Sequence, residues 1–341
     1  MQKTIFIVDD NDTNLATAET ALEEQYRVLT LPSAERMFKL LEKIKPDLIL
    51  LDIEMPEIDG FEALRRLKDN GAYSDIPIMF LTSRTDTATE VSGFQLGVID
   101  FIAKPFSAPV LINRIKTHLD IDEIIRERTA QLQQLQNAIV FCFADIVESR
   151  DRETGGHIER TSEYIDILIR ALLERDLYTS EIKNLNLDSL VSSARLHDVG
   201  KVTITDRILN KPAKLTTEEF EIMKTHSLEG EKIIDHMAAR TVNADFLQNA
   251  KLFAGYHHER WDGSGYPYGL KEKEIPLQGR IMAIVDVYDA LVSERPYKKA
   301  FPEEEALRII MDDAGKHFDP VIAKTFYEIK DLLTPVRAKY L

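Results

Sequence analysis

Two adjacent histidines, His257 and His258, are the residues of this chain best suited to metal chemistry. They lie in the segment AGYHHERWDGSGYP, where acidic, aromatic and glycine residues follow them and packing alone does not explain their pairing. Neutral imidazole is the commonest metal ligand in proteins, and two rings at the end of one element can serve neighbouring ions. The chain has 8 histidines, and five of them belong to one candidate ligand set. That set consists of Glu153, His157, His197, Asp198, His226, His257, His258 and Asp286.

This ligand set is larger than one metal ion needs. Mixed imidazole and carboxylate ligands suit borderline ions such as iron, manganese, nickel or zinc. The pair His197 and Asp198 can serve two ions at once, since an aspartate beside a ligand histidine can form a bridge. Asp286 lies in an otherwise apolar predicted helix, where a buried carboxylate is costly unless it is paired or metal-bound. Two or three ions that share carboxylates can clamp a phosphoryl group, so the set predicts a polynuclear hydrolase. Asp289, one turn further on, could be a further ligand, but support for a ligand or a surface position is the favoured interpretation.

A second group of polar residues follows the predicted strands of the first 119 residues. Short apolar strands are predicted at 4–8, 26–31, 47–52, 76–82 and 98–102, with amphipathic helices between them. The alternation predicts an α/β fold with a doubly wound, five-stranded parallel sheet, in which ligands collect at the carboxyl ends of the strands. The residues at those ends are Asp9, Asp10, Asp52, Thr82 and Lys104. Carboxylates can bind Mg²⁺ there, and an aspartate can act as a nucleophile toward phosphorus.

This first region resembles response-regulator receiver domains. The segments that carry the resemblance are VDDN at 8–11, DIEMPEIDG at 52–60, LTS at 81–83 and DFIAKPF at 100–106. The resemblance implies that Asp52 accepts a phosphoryl group from a cognate histidine kinase, and that Asp9, Asp10 and Asp52 bind Mg²⁺. The remaining implied roles are a switch pair, Thr82 and Phe101, and a lysine that pairs with the phosphoryl group, Lys104.

The region from about 145 to 325 resembles the HD-GYP family. The matching segments, in order, are ETGGHIERT, LHDVGK, ILNKPAKL, MKTH, HHERWDGSGYP, RIMAIVDVYDAL, RPYKKAF and HFDP. Members of this family hydrolyse cyclic di-GMP, so the resemblance implies a phosphodiesterase that yields pGpG and can continue to GMP. The implied dinuclear centre consists of His197, Asp198, His226, His257, His258 and Asp286. By the same resemblance, Glu153 and His157 hold a third ion.

The resemblance also assigns the residues that act on the substrate. Asp198 and Lys201 would be catalytic, with Lys201 at the scissile phosphate. The residues implied to hold the dinucleotide are Lys201, Tyr266, Arg295 and Lys298. The implied cofactors are two or three first-row transition metals, with iron or manganese favoured and nickel or zinc as alternatives, together with Mg²⁺ in the receiver.

One long helix is predicted between the two regions, since neither proline nor glycine occurs from 110 to 150. A seam with alternating steps of four and three runs along it through Ile121, Ile125, Arg128, Leu132, Leu135, Ile139, Cys142 and Ile146. Such a seam is typical of a coiled coil and favours a parallel homodimer, although a helix packed on its own domain is the alternative. Cys142 is expected to be buried by packing. The predicted organisation is a receiver at 1–119, a coiled-coil-like linker at 120–144 and an all-α phosphodiesterase domain at 145–341.

The composition excludes several classes of partner. A net charge of −15 argues against a surface for DNA or for an anionic membrane, because such binding needs excess lysine and arginine. No apolar run approaches the roughly 20 residues that span a bilayer. Asp9 and Asp10 interrupt the N-terminal apolar stretch too early for a signal peptide. The single cysteine fits a reducing compartment, so a cytoplasmic location is expected.

The sequence leaves two alternatives to a cyclic di-GMP phosphodiesterase. One is hydrolysis of another cyclic dinucleotide, such as cyclic GMP-AMP, since no residue clearly reads the second base. The other is a signalling adaptor that binds nucleotide, or a cyclic di-GMP synthase, without catalysis. The complete set of candidate ligands favours an enzyme over the adaptor.

Overall fold

A computed structural model divides the chain into two compact units, residues 1–132 and 133–341, and each is described by itself. The residues that the structure describes are 2–83, 87–150, 156–241, 244–294 and 299–340. Three residues with predicted roles, Glu153, Arg295 and Lys298, lie outside the described residues.

The first unit is built on the parallel five-stranded sheet that the sequence predicts. Its strands are β1 (Thr4–Val8), β2 (Arg27–Leu31), β3 (Leu48–Asp52), β4 (Ile78–Thr82) and β5 (Asp100–Ala103). Their order is β2-β1-β3-β4-β5, and all neighbouring strands are parallel. β3 and β4 are buried along their whole length, as is usual where helices cover both faces of a parallel sheet. Because β1 and β3 are neighbours, Asp9 and Asp52 emerge side by side.

Four helices follow the first four strands of this unit. They are α1 (Asp12–Leu22), α2 (Ala34–Leu41), α3 (Gly60–Asp69) and α4 (Thr87–Gln95). Side chains of Asn11, Ser33 and Asp59 cap the first three by accepting backbone N–H groups, which satisfies donors that a helix start leaves unpaired. A side chain at Gly60 would lie 2.4 Å from the carbonyl oxygen of Asp52. Glycine at the start of α3 therefore lets this helix pack closely against the end of β3.

A single helix, α5 (Ala108–Arg150), contains the whole predicted linker. Its exposed apolar residues include Leu135 and Ile139, whereas Val140 and Val147 are buried. Cys142 is exposed, so the expectation that packing buries it is wrong: its position on α5 lies on the exposed stripe. Although α5 has 43 residues, neither it nor any other described helix is long and apolar enough to cross a membrane.

The second unit is mostly helical, as predicted. Beyond the end of α5 its helices are α6 (His157–Glu174), α7 (Thr179–Ile182), α8 (Leu187–Ala194), α9 (Asp206–Leu209), α10 (Thr217–Ala238), α11 (Ala244–Tyr256), α12 (Leu277–Val292), α13 (Glu303–Asp312), α14 (Pro320–Glu328) and α15 (Lys330–Lys339). Most of α12 is buried, on every side of the helix, which is the pattern of a central core helix. The main core cluster joins α12 to residues of α6, α13 and α14.

The segment LHDVGK lies beyond the end of α8. This helix stops at Ala194, and a 3-10 helix runs over Val199–Thr203. A side chain at Gly200 would lie 1.8 Å from the carbonyl oxygen of His226 on α10. The glycine is therefore needed for close backbone contact with α10, and this contact brings the residues before it next to His226.

Candidate metal centre and phosphoacceptor site

The acidic site of the first unit lies at the carboxyl end of the sheet. Asp52 is the last residue of β3, and Asp9 directly follows β1. The Nζ atom of Lys104 is 2.6 Å from Asp9 Oδ2 and 2.7 Å from Asp52 Oδ1. Asp10 completes the cluster, since one oxygen from each of the three carboxylates lies within 4.8 Å of the others. A cluster of carboxylate oxygens of this kind fits Mg²⁺, which prefers oxygen ligands.

The surroundings of Asp52 oppose its negative charge. Burial raises the pKa of Asp52, and its effect exceeds the opposing hydrogen bond and charge of Lys104. A divalent cation beside the carboxylate would offset this, because a nearby positive charge favours the ionised form. Asp9 is held in place by Asn14, whose Nδ2 lies 3.1 Å from each carboxylate oxygen. The carboxylates are therefore held in fixed positions by Asn14 and Lys104, as a cation-binding site needs.

The predicted switch residues lie on the two strands beyond β3. Thr82 is the buried last residue of β4, and Phe101 is buried on β5. The Phe101 ring packs edge-on against Phe80 and Phe94, at centroid distances of 5.6 and 5.0 Å. A side chain at Gly93 would lie 2.4 Å from this ring, so glycine makes room for the inward position of Phe101.

The second site gathers residues from several helices of the second unit. His157 begins α6, His226 lies in α10, Asp286 lies in α12, and the pairs His197–Asp198 and His257–His258 follow α8 and α11. Residues 132 positions apart are in contact there, as His157 and Asp289 show. The site thus depends on the tertiary packing of the helices and not on one continuous segment.

Four histidine rings of this centre are held in the same way. Their Nδ1 contacts are His157 to Asp289 Oδ2 at 2.8 Å, His197 to Ala194 O at 3.1 Å, His226 to Met223 O at 2.7 Å, and His257 to Phe253 O and Ala254 O at 3.0 Å each. A carbonyl or carboxylate oxygen accepts, so Nδ1 carries the hydrogen and donates it. The lone pair is then on Nε2, and the bond at Nδ1 fixes the direction of the ring, as is usual for metal-binding histidines.

The Nε2 atoms converge on one small region. His226 Nε2 and His257 Nε2 are 3.3 Å apart, although with Nδ1 protonated neither atom has a hydrogen to donate to the other. His226, His257 and His258 form one group whose ligand atoms lie within 4.8 Å of one another, and His157, His197 and Asp198 form a second such group. A metal ion held by both nitrogens would remove the repulsion between two lone pairs at this distance.

Asp198 lies between the two groups. Its Oδ1 is 3.4 Å from His226 Nε2 and 3.7 Å from His257 Nε2, and its Oδ2 is 3.3 Å from His197 Nε2. Burial acts to raise its pKa, but opposing charges, that of Lys201 foremost, hold the pKa well below its ordinary value. The carboxylate is therefore ionised and faces both groups, as a bridging ligand would.

Three of the imidazoles, those of His226, His257 and His258, are in the protonation state that metal binding needs. Burial lowers the pKa of His257 to about 3 and also lowers the pKa of His226 and of His258, despite the attraction of Asp198. Neutral rings present lone pairs, whereas protonated rings cannot bind a metal.

Buried polar atoms without hydrogen-bond partners are a further sign that this centre suits metal ions. Across the described part of the chain, His197 Nε2 and Asp198 Oδ1 are buried and have no hydrogen-bond partner. Buried polar atoms are normally paired, because an unmade hydrogen bond is costly. A metal ion coordinated by these atoms removes that cost. The nitrogen-rich donor set suits iron, manganese, nickel or zinc better than magnesium.

Tyr266 and Asp286 border the centre. The Tyr266 ring stacks on His258 at a centroid distance of 4.7 Å and an interplanar angle of 30°. Burial, and then the charges of Asp198 and Asp286, raise the pKa of Tyr266, so its phenol is neutral and can donate. Asp286 Oδ1 is 3.7 Å from His157 Nε2, on the side of the second group.

Two residues outside the candidate ligand set, Asp289 and Arg160, help to orient the ring of His157. Asp289 accepts hydrogen bonds from Arg160 Nε at 2.6 Å and Nη2 at 2.9 Å, and it also holds His157. Its burial acts to raise the pKa, but the bonds from His157 and Arg160 lower it overall. Asp289 therefore orients a ring of the centre, in line with the supporting role expected of it. Arg160 has no signal in the sequence beyond its spacing, since it lies one turn after His157 on α6.

Glu259 was not singled out from the sequence, although it follows the two histidines directly. It is buried, and its carboxylate accepts the backbone N–H groups of Tyr268, Gly269 and Leu270 at 2.7, 3.1 and 3.0 Å. Three N–H donors on one carboxylate fix the course of the loop that follows Tyr266. An acidic residue in a glycine-rich segment was the available signal for such a role.

Comparison with known proteins identifies the family of each of the two domains. Residues 5–116 match the response regulator receiver domain, and residues 142–322 match the HD domain. A Vibrio cholerae protein named "Probable cyclic di-GMP phosphodiesterase" is 40% identical over 340 residues, 95% of this chain and 77% of that protein. The cyclic di-GMP phosphodiesterase of Thermotoga maritima is 33% identical over 355 residues, 98% and 92% of the two chains. The 3'3'-cGAMP-specific phosphodiesterase 2 of Vibrio cholerae is 38% identical over 207 residues, 61% of this chain and 37% of that protein.

A receiver followed by a helical HD domain defines the class of protein, a response regulator whose output domain is of the hydrolase type. Within that class, the chain belongs to the family of response regulators that join a receiver domain to an HD-GYP domain.

Proposed function

We propose that this protein is a metal-dependent phosphodiesterase that hydrolyses cyclic di-GMP and that phosphorylation of its receiver controls the rate. The observation that carries the proposal is the convergence of the rings of His197, His226 and His257 on Asp198. Lys201 and Tyr266 lie beside that convergence and offer a cation and a phenol to an anionic substrate. The names of the full-length relatives support cyclic di-GMP as the substrate.

The proposed reaction is hydrolysis at phosphorus. Ions held by the histidine set would lower the pKa of water and stabilise negative charge on the phosphate. Lys201 Nζ lies 2.9 Å from Asp198 Oδ2, so its charge stabilises the phosphoryl oxygens as negative charge develops on them. The water oxygen bonds to phosphorus, the bond from phosphorus to the 3' oxygen breaks, and that oxygen takes up a proton. The product is linear pGpG, and hydrolysis of the remaining diester bond gives GMP.

The two groups of ligands support two ions, and a third ion would need further ligands. In this proposal, His226, His257 and His258 hold one ion, and His197 shares a second with Asp198. The second group includes His157, which would recruit a third ion together with Glu153. Iron or manganese is favoured because the donors mix imidazole with carboxylate.

A comparison of kcat/KM for cyclic di-GMP and cyclic GMP-AMP tests the substrate assignment. The full-length chain, purified without oxygen, is assayed with each dinucleotide at the same concentrations, and products are separated by chromatography. We expect cyclic di-GMP to give the higher kcat/KM, with pGpG appearing before GMP. A higher kcat/KM for cyclic GMP-AMP would move the substrate assignment to the class of the cGAMP-specific relative. Tight binding of cyclic di-GMP with no product would favour the adaptor.

Control by the receiver is proposed from the acidic cluster. Asp52 would accept a phosphoryl group from a histidine kinase, with Mg²⁺ on Asp9, Asp10 and Asp52. Phosphorylation places new negative charge beside Lys104, and this ammonium would pair with it. Thr82 and the inward Phe101 would then move as a switch pair.

We further propose that α5 forms a parallel homodimer. The face of α5 that contacts the second unit is marked by the buried residues Val140, Ala144 and Val147. The seam is a different stripe, and its exposed members are Ile121, Ile125, Leu132, Leu135, Ile139, Cys142 and Ile146. An exposed apolar seam of this length is accounted for by a second helix packed along it.

The single cysteine of the chain tests this pairing. In a parallel, in-register coiled coil, equivalent seam residues face each other, so mild oxidation should join the two Cys142 residues in a disulfide-linked dimer. Cys142→Ser should remain a dimer in sedimentation but give no covalent product. A monomer in sedimentation at micromolar concentration would contradict the homodimer, and a dimer that cannot be crosslinked would contradict the parallel register.

A further inference from the structure

An exposed aromatic ring lies at the edge of the candidate metal centre. Phe220, in the first turn of α10, has 47% of its surface exposed. Its ring meets Tyr266 edge-on, with centroids 6.5 Å apart and an interplanar angle of 82°. The Nζ atom of Lys224 lies 5.5 Å from the Phe220 centroid and 5.7 Å from the Tyr266 centroid. Two aromatic rings and one cation therefore share a single surface.

This surface is fixed by the start of α10. Phe220 and Lys224 are four positions apart, so they lie on one face of the helix. Thr216 caps the helix in a capping box with Glu219, and Lys211 forms an ion pair with the Glu219 carboxylate. Hydrogen bonds of the capping box and the ion pair of Glu219 thus fix the first turn of α10. The Phe220 ring extends from this fixed turn.

Packing does not account for the Phe220 ring. An aromatic side chain stabilises a fold mainly through buried area, and this ring leaves almost half of its surface in solvent. Lys224 is paired with Glu221 at 2.6 Å, yet Glu221 is 62% exposed at its side chain, and such a pair contributes little to stability. A lysine ammonium has three donors, so it can keep this partner and still bind an anion.

The surface is continuous with the metal centre through Tyr266. One neighbour of the Tyr266 ring is the candidate ligand His258, stacked at 4.7 Å, and the other is Phe220. A ligand with a phosphate at the centre and a purine attached to it would place the purine over this surface. Bases stack on aromatic side chains, and cations add to that attraction.

We propose that Phe220 and Lys224 form a substrate subsite, in which Phe220 stacks on a guanine base of the dinucleotide and Lys224 contacts its phosphate. The inference rests on the proposed phosphodiesterase function and adds two binding residues to it. Phe220 would give the base an aromatic contact, and Lys224 would give the phosphate a positive charge on a protein whose net charge is negative.

The test compares four variants of the full-length protein. Phe220→Leu removes the aromatic ring but keeps an apolar side chain. Phe220→Tyr keeps an aromatic ring at this position. Lys224→Met removes the charge and keeps much of the length. Ile222→Ala is the matched control, because Ile222 is an equally exposed apolar residue of α10 (46%) on a different face.

We expect Phe220→Leu to raise KM for cyclic di-GMP about fivefold to tenfold, the lower range for loss of one base–aromatic stack. The kcat should fall much less, since binding lost equally from substrate and transition state appears in KM. Phe220→Tyr should recover most of the affinity, and Ile222→Ala should stay within about twofold of the parent. Lys224→Met should raise KM more at low salt than at high salt, because salt screens the lost charge.

Calorimetric binding of GMP and of inorganic phosphate separates this inference from the proposed function. Phe220→Leu should weaken GMP binding and spare phosphate binding, whereas Lys224→Met should weaken both. If the parent hydrolyses cyclic di-GMP but Phe220→Leu keeps the parental KM and GMP affinity, the subsite is wrong and the function stands. If the parent hydrolyses no cyclic dinucleotide, the function fails, and unchanged GMP binding in Phe220→Leu would remove the subsite as well.

Discussion

The two sites of this protein start from the same pair of side chains and surround it differently. In the receiver, Lys104 lies 2.7 Å from Asp52, and in the HD-GYP domain Lys201 lies 2.9 Å from Asp198. Around Asp52 the further ligands are carboxylates, whereas around Asp198 they are imidazoles. Oxygen ligands suit magnesium, and imidazoles favour transition metals.

The difference agrees with the proposed roles, in which one aspartate receives phosphate and the other serves hydrolysis. Burial opposes the charge of Asp52 and raises its pKa, which fits a carboxylate that would act together with a cation. Lys201 above all holds the pKa of Asp198 low, which fits a carboxylate that would stay charged as a metal ligand. Neighbouring charges decide which role each aspartate is suited to.

The largest effect that would sharpen this comparison is expected for Asp198→Asn. The amide keeps the shape of the side chain but loses the negative charge that faces both groups of histidines. We expect turnover of cyclic di-GMP to fall by at least about a thousandfold, the scale for losing a central catalytic group, together with part of the metal content. Asp331→Asn, at an exposed position of α15 far along the chain from the candidate ligands, should match the parent in both measurements. Parental turnover in Asp198→Asn would show that Asp198 does not bridge the centre.

The two lysines provide a paired comparison. Lys201→Gln should lower kcat about a hundredfold to a thousandfold, since a donor aimed at developing charge is lost. Lys104→Gln should leave turnover of the unphosphorylated protein within about twofold, because Lys104 belongs to the receiver. Equal losses of kcat in both variants would contradict the separation of roles between the sites.

A smaller effect is expected for Asp289→Asn, which keeps one acceptor for His157 but weakens the buried pair with Arg160. Supporting residues of metal ligands typically change affinity or activity about tenfold to a hundredfold. Metal titration of the chelated protein should therefore show weaker binding of the ion held by His157, with less change at the group of His226, His257 and His258. Loss of every ion at once would instead indicate unfolding, which circular dichroism would detect.

The smallest effect concerns control. Beryllofluoride, which mimics a phosphoryl group, should change the phosphodiesterase rate of the parent about twofold to tenfold, the scale of a coupling of about 1 kcal/mol. Asp52→Asn should keep the unstimulated rate and lose the response. A response in Asp52→Asn as large as that of the parent would place control outside the receiver.

The sequence predicts the arrangement of the receiver site more completely than that of the histidine-rich centre. The sheet could be predicted closely, because Asp9 and Asp52 follow apolar strands whose carboxyl ends must share an edge. The set of candidate ligands was recognised from motifs, but its geometry depends on helix packing. The Nδ1 contacts of His197 and His226 with backbone carbonyls need a particular ring orientation, which no spacing encodes. Only the close approach of α10 shows why position 200 is a glycine. Glu259 and Phe220 likewise become informative once their neighbours are known.

The proposed function requires that the imidazole-rich centre holds metal ions and that hydrolysis of cyclic di-GMP depends on them. The most direct test is anaerobic purification, with metal content per chain and cyclic di-GMP turnover measured on the same sample before and after chelation. We predict two or three transition-metal ions per chain, pGpG as the first product, and activity that is lost on chelation and returns with manganese or iron but not with magnesium alone. Full metal content with cyclic di-GMP bound but intact, or full turnover after complete chelation, would contradict the account.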